Sequence, residues 1–346
     1  MVTCDSGATT DLWQIQASPC RPCKLLNRRD LGATPNVRPH AFSFGYHSPV
    51  TEPTYDIRLP FLKWPGGKRW LTRYILPILR TEQINRYFEP FLGGAALYFA
   101  LRPRRAFLSD INAELINTYK QVRDCHEGLI SVLKRIPVTA EEYYTVRRTK
   151  SRSLVTRAAH FLFLNRTSFA GIYRLNRKGL FNVPYGGGHR KPNTLWEKNI
   201  LAAASDALQG TELVACDFES AMRHAKQGDV VYCDPTYTVA HDNNGFVRYN
   251  ECNFSWLDQE RLARSAAKAA SAGALVLVSN AHHRDIAELH RTAEQHVVSR
   301  MSCLAPAPNH RRSVMEYLFV YRPQRKLRRH DPCIAGKPDQ RSGFHT

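Results

Sequence analysis

Two short runs in this chain put reactive residue types where a strand gives way to a turn. The first is Asp229-Val-Val-Tyr-Cys-Asp234-Pro235-Thr236-Tyr237. An apolar stretch there ends in an acid, a proline and an aromatic ring. On an open α/β sheet, ligands bind outside the carboxyl ends of the strands, so this end is a candidate site. A capped turn with a core tyrosine fits the same residues. The second run is Phe88-Glu89-Pro90-Phe91-Leu92-Gly93-Gly94-Ala95-Ala96. Glycine lets a ligand approach the backbone, and a helix start beyond it offers free N–H groups. Asp110 lies sixteen residues after Gly94, at the end of the next apolar run. A carboxylate at that distance is placed to bind ribose hydroxyls. A pair of packing glycines reads the same way. Gly66-Gly67-Lys68-Arg69 does not complete a phosphate-binding P-loop.

These residues need strands and helices to hold them. Short apolar runs occur at Arg86–Phe88, Ala106–Ser109, Leu213–Cys216, Val230–Cys233, Ala274–Ser279, Val297–Met301 and Tyr317–Tyr321. Helical patterns fall between several of them. Ile111–Asp124 aligns Leu115, Ile116, Tyr119 and Val122 on one face. Leu257–Ala272 is Ala-rich, opens at a Ser255 cap and stops at Gly273. Strands interleaved with helices predict an α/β fold with an open, mostly parallel, seven-stranded sheet.

One segment breaks that rhythm. Tyr143 to Trp196 contains no Asp or Glu but eight Arg and three Lys, so +11 of the net charge of +19 lies there. Phe161, Phe163, Phe169, Tyr173, Phe181 and Tyr185 are interleaved. A basic stretch with rings between the charges predicts a surface that tracks phosphates and stacks on bases. A basic helical face over ordinary core aromatics is the alternative. The overall charge, 49 Lys plus Arg against 30 Asp plus Glu, favours polyanionic partners.

Composition excludes other classes. The chain is 43% hydrophobic and 23% charged over 346 residues, which is globular. No apolar run approaches the roughly 18 residues of a membrane helix, and no secretory signal opens the chain. Nine cysteines at irregular spacing fit free thiols in a reducing compartment, so a cytoplasmic protein is expected. Cys20 and Cys23 form one CxxC that matches no common zinc module, and no metal is expected. His282 and His283 read as a capped helix start. His241 and Asp242 follow Tyr237 in a loop, and Asn309, His310, Arg311 and Arg312 form a connection between strands. Residues 1–57 and 323–346 are polar and rich in breakers, and both read as poorly ordered.

Taken in order, the motifs resemble those of the Dam-type (D12 class) DNA adenine N6-methyltransferases, over about Phe61 to Tyr321. Leu62-Lys63-Trp64-Pro65-Gly66-Gly67-Lys68 resembles the family's opening cofactor motif, and Phe88–Ala96 its glycine motif. Leu108–Asn112 resembles the ribose-binding strand end. Asn165–Asn176 and Gly179–Gly186 resemble the DNA-reading hairpin. Val231–Tyr237 resembles the catalytic motif.

The resemblance implies a Rossmann-like methyltransferase sheet with an inserted, mainly helical recognition domain. It implies a catalytic domain over 58–135 and 206–322 and a basic insert over 136–205. It implies S-adenosylmethionine as methyl donor and double-stranded DNA as substrate, with GATC as target and a monomer in solution. Asp234 and the Pro235 carbonyl would hold the two N–H groups of a flipped adenine, and Tyr237 would stack on it. Cofactor contacts fall on Trp64, Lys68, Phe91, Gly93, Asp110, Asp217, Phe218 and Asp234. DNA contacts fall on Lys63, Arg166, Phe169, Ile172, Arg174, Asn176 and Pro184, with Phe169 as wedge and Arg174 reading guanine. Ala95 stands where the family usually has a third glycine, and Thr236 where it usually has a second proline. Those departures leave open a DNA-binding descendant without catalysis. Methylation of RNA or of a protein glutamine is a further alternative, and the basic insert speaks against the glutamine.

Overall fold

A computed structural model of the chain describes residues 60–176, 179–189, 191–238, 254–301 and 313–323. The expectations for 1–57, the tail, Cys20, Cys23, His241, Asp242 and Asn309–Arg312 lie outside those residues.

The seven expected strands form one sheet: β1 Tyr87–Glu89, β2 Ala106–Asp110, β3 Thr211–Ala215, β4 Val230–Cys233, β5 Leu275–Ala281, β6 Glu294–Met301 and β7 Ser313–Tyr321. Their order is β3-β2-β1-β4-β5-β7-β6. The first five are parallel, and β7 runs antiparallel between β5 and β6. This is the doubly wound arrangement, with the order switching between β1 and β4. The two candidate motifs follow those two strands, so the topology brings them to opposite sides of one crevice.

Both faces of the sheet are buried, which explains the unbroken apolar runs of β4 and β5. Val230, Tyr232, Leu275 and Leu277 face one core, and Val231, Cys233, Val276 and Val278 face the other. The helices are α1 Thr72–Arg80, α2 Ala96–Leu101, α3 Ala113–Leu133, α4 Ala140–Arg148, α5 Leu154–Thr167, α6 Thr194–Glu197, α7 Ile200–Leu208, α8 Phe218–Met222, α9 Trp256–Ser271 and α10 Arg284–Leu289. Asn112 caps α3 by accepting from the Glu114 and Leu115 amides. That helix runs past its expected end at Asp124, with a break in its dihedrals at Cys125. Ser255 and Asp258 close a capping box on α9, and His283 caps α10. The basic stretch does not build a core of its own. Tyr143, Val146, Phe161, Phe163 and Leu195 join the core that includes Tyr87, Leu108 and Tyr232.

Candidate active site

Beyond β4 the chain delivers Asp234, Pro235 and Tyr237. Asp234 Oδ1 accepts from Ser279 Oγ of β5 at 2.8 Å and lies 3.0 Å from Lys68 Nζ. Lys68 is buried, and its ammonium also lies 3.3 Å from Glu316 of β7 and donates to the Tyr237 hydroxyl at 2.7 Å. The Tyr237 hydroxyl donates in turn to Glu316 Oε2 at 2.5 Å. The ammonium sits 4.5 Å from the centre of the Tyr237 ring. One cation is thus held by two carboxylates and a ring. Burial pushes the Asp234 carboxyl up, against the pull of Lys68 and of the hydrogen bonds from Lys68 and Ser279. Burial likewise pushes the Tyr237 phenol well up, helped by the charge of Glu316.

The turn after β1 forms the other wall. The Gly93 amide donates to Asp110 Oδ2 at 3.1 Å, and the Asn112 amide to Asp110 Oδ1 at 3.0 Å. Both carboxylate oxygens are therefore oriented by backbone. Burial raises the Asp110 carboxyl. The Tyr119 hydroxyl donates to the Gly93 carbonyl at 3.0 Å and fixes the turn from below. Gly93 adopts φ +44°, and a Cβ there would lie 2.8 Å from Trp64 Nε1. The sequence reading reserved that close approach for a ligand. In the structure the Trp64 indole takes it, so the glycine serves the placement of Trp64.

Ala95 also adopts left-handed dihedrals, φ 53° and ψ 37°, at the start of α2. Its methyl is buried in the core, so the departure from glycine is felt in the backbone. Ala95→Gly is expected to stabilise the fold by about 1 kcal/mol, by removing the clash of Cβ with its carbonyl. An unchanged urea midpoint would refute that.

Phe91 stacks on Phe218 at 5.3 Å, with Phe254 edge-on at 5.5 Å. Asp217 caps α8 through the Glu219 amide and pairs with Arg261 at 2.8 Å. The Arg261 guanidinium covers the Phe218 ring at 4.8 Å. Among the described residues no three His, Cys, Asp or Glu side chains gather as a metal site requires.

The hairpin expected to read DNA is bridged at Ser168–Tyr185 and Leu175–Phe181. Phe169 is 58% exposed at its edge, and its amide donates to the Pro184 carbonyl. Ile172 is half-buried, while Lys63 and Pro184 are exposed. Arg174 Nε donates to Asn182 Oδ1 at 2.8 Å, which sets the plane of its guanidinium. Asn176 Oδ1 accepts from the Leu180 amide at 3.0 Å, so its side chain shapes the turn. Arg166, expected to contact DNA, has a backbone partner within the fold. Its guanidinium donates to the Phe61 carbonyl, and burial depresses it to about 10. From the last turn of α5, Arg166 braces the segment ahead of Trp64. Arg157 pairs with Glu114 of α3 and is not a spare charge either.

Three residues escaped the sequence reading as parts of the site: Glu316, Ser279 and Asn165. Buried Asn165 accepts from the Lys63 amide at 2.9 Å and donates to the Lys63 carbonyl at 2.7 Å. Trp64, the next residue, stacks on Tyr173 of the hairpin at 5.7 Å and 19°. The hairpin and the crevice thus share the strip Lys63–Lys68.

A doubly wound sheet with a glycine turn after β1 and carboxylates ending β2 and β4 defines a Rossmann-like α/β protein. The chain belongs to the D12 class N6 adenine-specific DNA methyltransferases, whose family model matches residues 64–303. It is 37% identical over 249 residues to the type II methyltransferase M1.LlaDCHI of Lactococcus lactis subsp. cremoris, covering 69% of this chain and 87% of that one. It is 35% identical over 248 residues to the type II methyltransferase M.MjaIII of Methanocaldococcus jannaschii, covering 65% and 85%. It is 31% identical over 270 residues to the DNA adenine methylase of Haemophilus influenzae, covering 76% and 93%.

Proposed function

We propose that this chain transfers the methyl group of S-adenosylmethionine to N6 of an adenine flipped out of duplex DNA, within GATC. The observation that carries this reading is Asp234, a desolvated carboxylate held on one oxygen by Ser279 and Lys68, at the switch point of the sheet.

The residues around the crevice suit the donor. Its ribose brings hydroxyls and its head brings cations, and Asp110 and Asp234 offer carboxylates to both. Asp110 would hold the ribose, Asp234 would face the cationic head, and Trp64, Phe91 and Phe218 would supply flat apolar walls, with Lys68, Gly93 and Asp217 at the rim. When bound, S-adenosylmethionine supplies an electrophilic methyl on a sulfonium.

The chain's own groups prepare the nucleophile. The lone pair of the adenine amine is delocalised into the ring and attacks poorly. Asp234 accepts one N6–H and the Pro235 carbonyl the other, which turns the lone pair out of the ring plane. A carboxyl raised by burial is also the better acceptor of the N6 proton. Tyr237 packs on the base face, and its hydroxyl is anchored by Lys68 and Glu316. Extrusion of the base is paid in unstacking, and the exposed Phe169 ring is shaped to fill the gap. The stretch 136–205 acts as the recognition part, with Lys63, Ile172 and Pro184 beside the bases. Asn176 acts by shaping the turn.

Arg174→Ala is expected to relax sequence preference, because one bidentate Arg–guanine contact is worth about 1–3 kcal/mol of discrimination. Binding to matched and single-mismatch duplexes checks this. An equal loss on every duplex would make Arg174 a phosphate contact.

The reading as a whole is tested in a methylation-free bacterial host. The full chain is expressed and N6-methyladenine is mapped across the genome by single-molecule sequencing, with Asp234→Ala as control. Marks at GATC, absent from the control, are the expected result. Marks at another motif would correct the target alone. No marks, with folded protein that binds duplex DNA, would favour the catalytically silent descendant.

A further inference from the structure

We propose that Glu316 is a positioning residue of the transfer site: it holds Lys68 and Tyr237 in place and neutralises the ammonium, so that Asp234 keeps its full strength as an acceptor. This rests on the assignment of Asp234 to the N6 amine made above.

Glu316 is fully buried in β7, opposite Ala281 of β5 and Val298 of β6. A buried acid is costly unless it is paired and hydrogen-bonded. Glu316 meets both conditions within the crevice, through Lys68 Nζ at 3.3 Å and the Tyr237 hydroxyl at 2.5 Å. It therefore belongs to the site electrostatically, although β7 lies outside both chemical motifs.

Its charge decides what Lys68 does. Lys68 lies on Asp234 Oδ1 at 3.0 Å, the oxygen that also accepts from Ser279. Two donors on one oxygen orient the carboxylate. With Lys68 as its sole ionic neighbour, Asp234 would form a neutral pair and attract an amine weakly. Glu316 makes the trio Asp234, Lys68 and Glu316 net negative, which suits a site where an amine gains positive character. The phenol link does the geometric part, because the Tyr237 ring edge is tied to the same carboxylate. The titratable and charged groups facing Asp234 are Lys68, Glu89 of β1, Tyr232 and Cys233 of β4, Tyr237, and Glu316. The Glu316 charge opposes Lys68 in setting the Asp234 carboxyl.

The test is Glu316→Gln in the full chain. Glutamine keeps an oxygen for the Tyr237 hydroxyl and removes the charge. The expected result is a fall in kcat of about a hundredfold with the KM for target duplex held. The acid limb of the kcat profile should move to lower pH, because Lys68 then acts on Asp234 unopposed. Glu316→Asp, which keeps the charge, should restore the position of that limb. A purely structural residue would shift the unfolding midpoint and leave the limb in place. Wild-type kcat and an unmoved limb in Glu316→Gln, with Asp234→Ala inactive, would overturn this inference alone. Full activity in Asp234→Ala would overturn the reading beneath it. If Glu316→Gln does not fold, Tyr237→Phe is measured instead. Removing the hydroxyl should lower kcat about tenfold at constant KM, and an unchanged kcat would overturn the proposal.

Discussion

Asp234→Ala is expected to abolish methyl transfer, with kcat reduced about a thousandfold or more, while duplex DNA is bound nearly as before. The loss is large because Asp234 does two jobs at one point. In the proposed transfer it accepts from the amine and offsets the positive charge that builds there. Binding should survive because the side chains proposed to meet DNA, Phe169 and Arg174 among them, lie on other elements. The fold also survives. Removing one partner of a buried ion pair is usually severe, about 3–5 kcal/mol. Here Lys68 retains Glu316 at 3.3 Å and the Tyr237 hydroxyl at 2.7 Å, so no ammonium is stranded. The side chain of Asp234 is 22% exposed, which lets water enter the space it leaves. Asp234→Asn should fall between, since the amide oxygen still accepts but carries no charge. Transfer of labelled methyl to duplex DNA and anisotropy titration of the same duplex measure both sides. Turnover within about tenfold of wild type would sink the assigned role.

How much of this was legible in the sequence depended on where each partner lies along the chain. The seven strands were readable because each carries an apolar run, unbroken where both faces of the sheet are buried, as in β4 and β5. Ser255 and His283 were readable as helix starts because capping is local. Asp234, Pro235 and Tyr237 were readable because the turn that presents them is contiguous. Glu316 was not. The apolar pattern starts β7 at Tyr317, whereas the strand begins at Ser313. Polarity also misleads there, since Met315 is 47% exposed while Glu316 is fully buried. Only the pairing of β7 with β5, and Lys68 arriving from far away in sequence, makes an inward acid tenable. Asn165 was quoted within a motif, but its bonds run to backbone 102 residues distant, which no local pattern reports. Arg166 is the converse case. Its charge in a basic stretch reads as a DNA contact, and the fold adds a backbone partner that no local pattern reports, the Phe61 carbonyl.

The same strip of chain explains how recognition and chemistry can be coupled. Lys63 is clamped by Asn165, Trp64 lies between Gly93 and Tyr173, and Lys68 reaches Asp234. A displacement of the hairpin at Tyr173 would therefore reach Trp64 and the strip whose Lys68 meets Asp234. Rigid packing transmits such shifts because cores deform little.

Glu89→Gln is expected to remove a strong pH dependence from the stability of this fold. Glu89 ends β1, is buried, and accepts from the Tyr87 hydroxyl at 2.8 Å. Burial pushes its carboxyl from 4.5 up to about 8, more than the Tyr87 hydrogen bond pulls it down, and the charge of Asp234 adds to the rise. The folded chain therefore prefers Glu89 neutral, and the unfolded chain ionises it in the ordinary carboxylate range. A raised folded value gives a contribution that is complete below the unfolded value and is lost as pH rises through the folded one. Each pH unit in that window withdraws about 1.4 kcal/mol. Raising the pH from about 5 to about 8 should cost wild type about 4 kcal/mol through this residue. Glutamine imitates the neutral acid and carries no such slope. Asp110 and Asp234 are also raised, and His290 is lowered to about 4, so the wild-type curve alone is a composite. The difference between wild type and Glu89→Gln isolates the one carboxyl. Urea unfolding at several pH values should show the two proteins converging toward pH 5 and the glutamine variant gaining steadily above it. Parallel curves across that range would mean that Glu89 ionises in the core at its ordinary value, with a counter-charge that the packing around β1 does not supply.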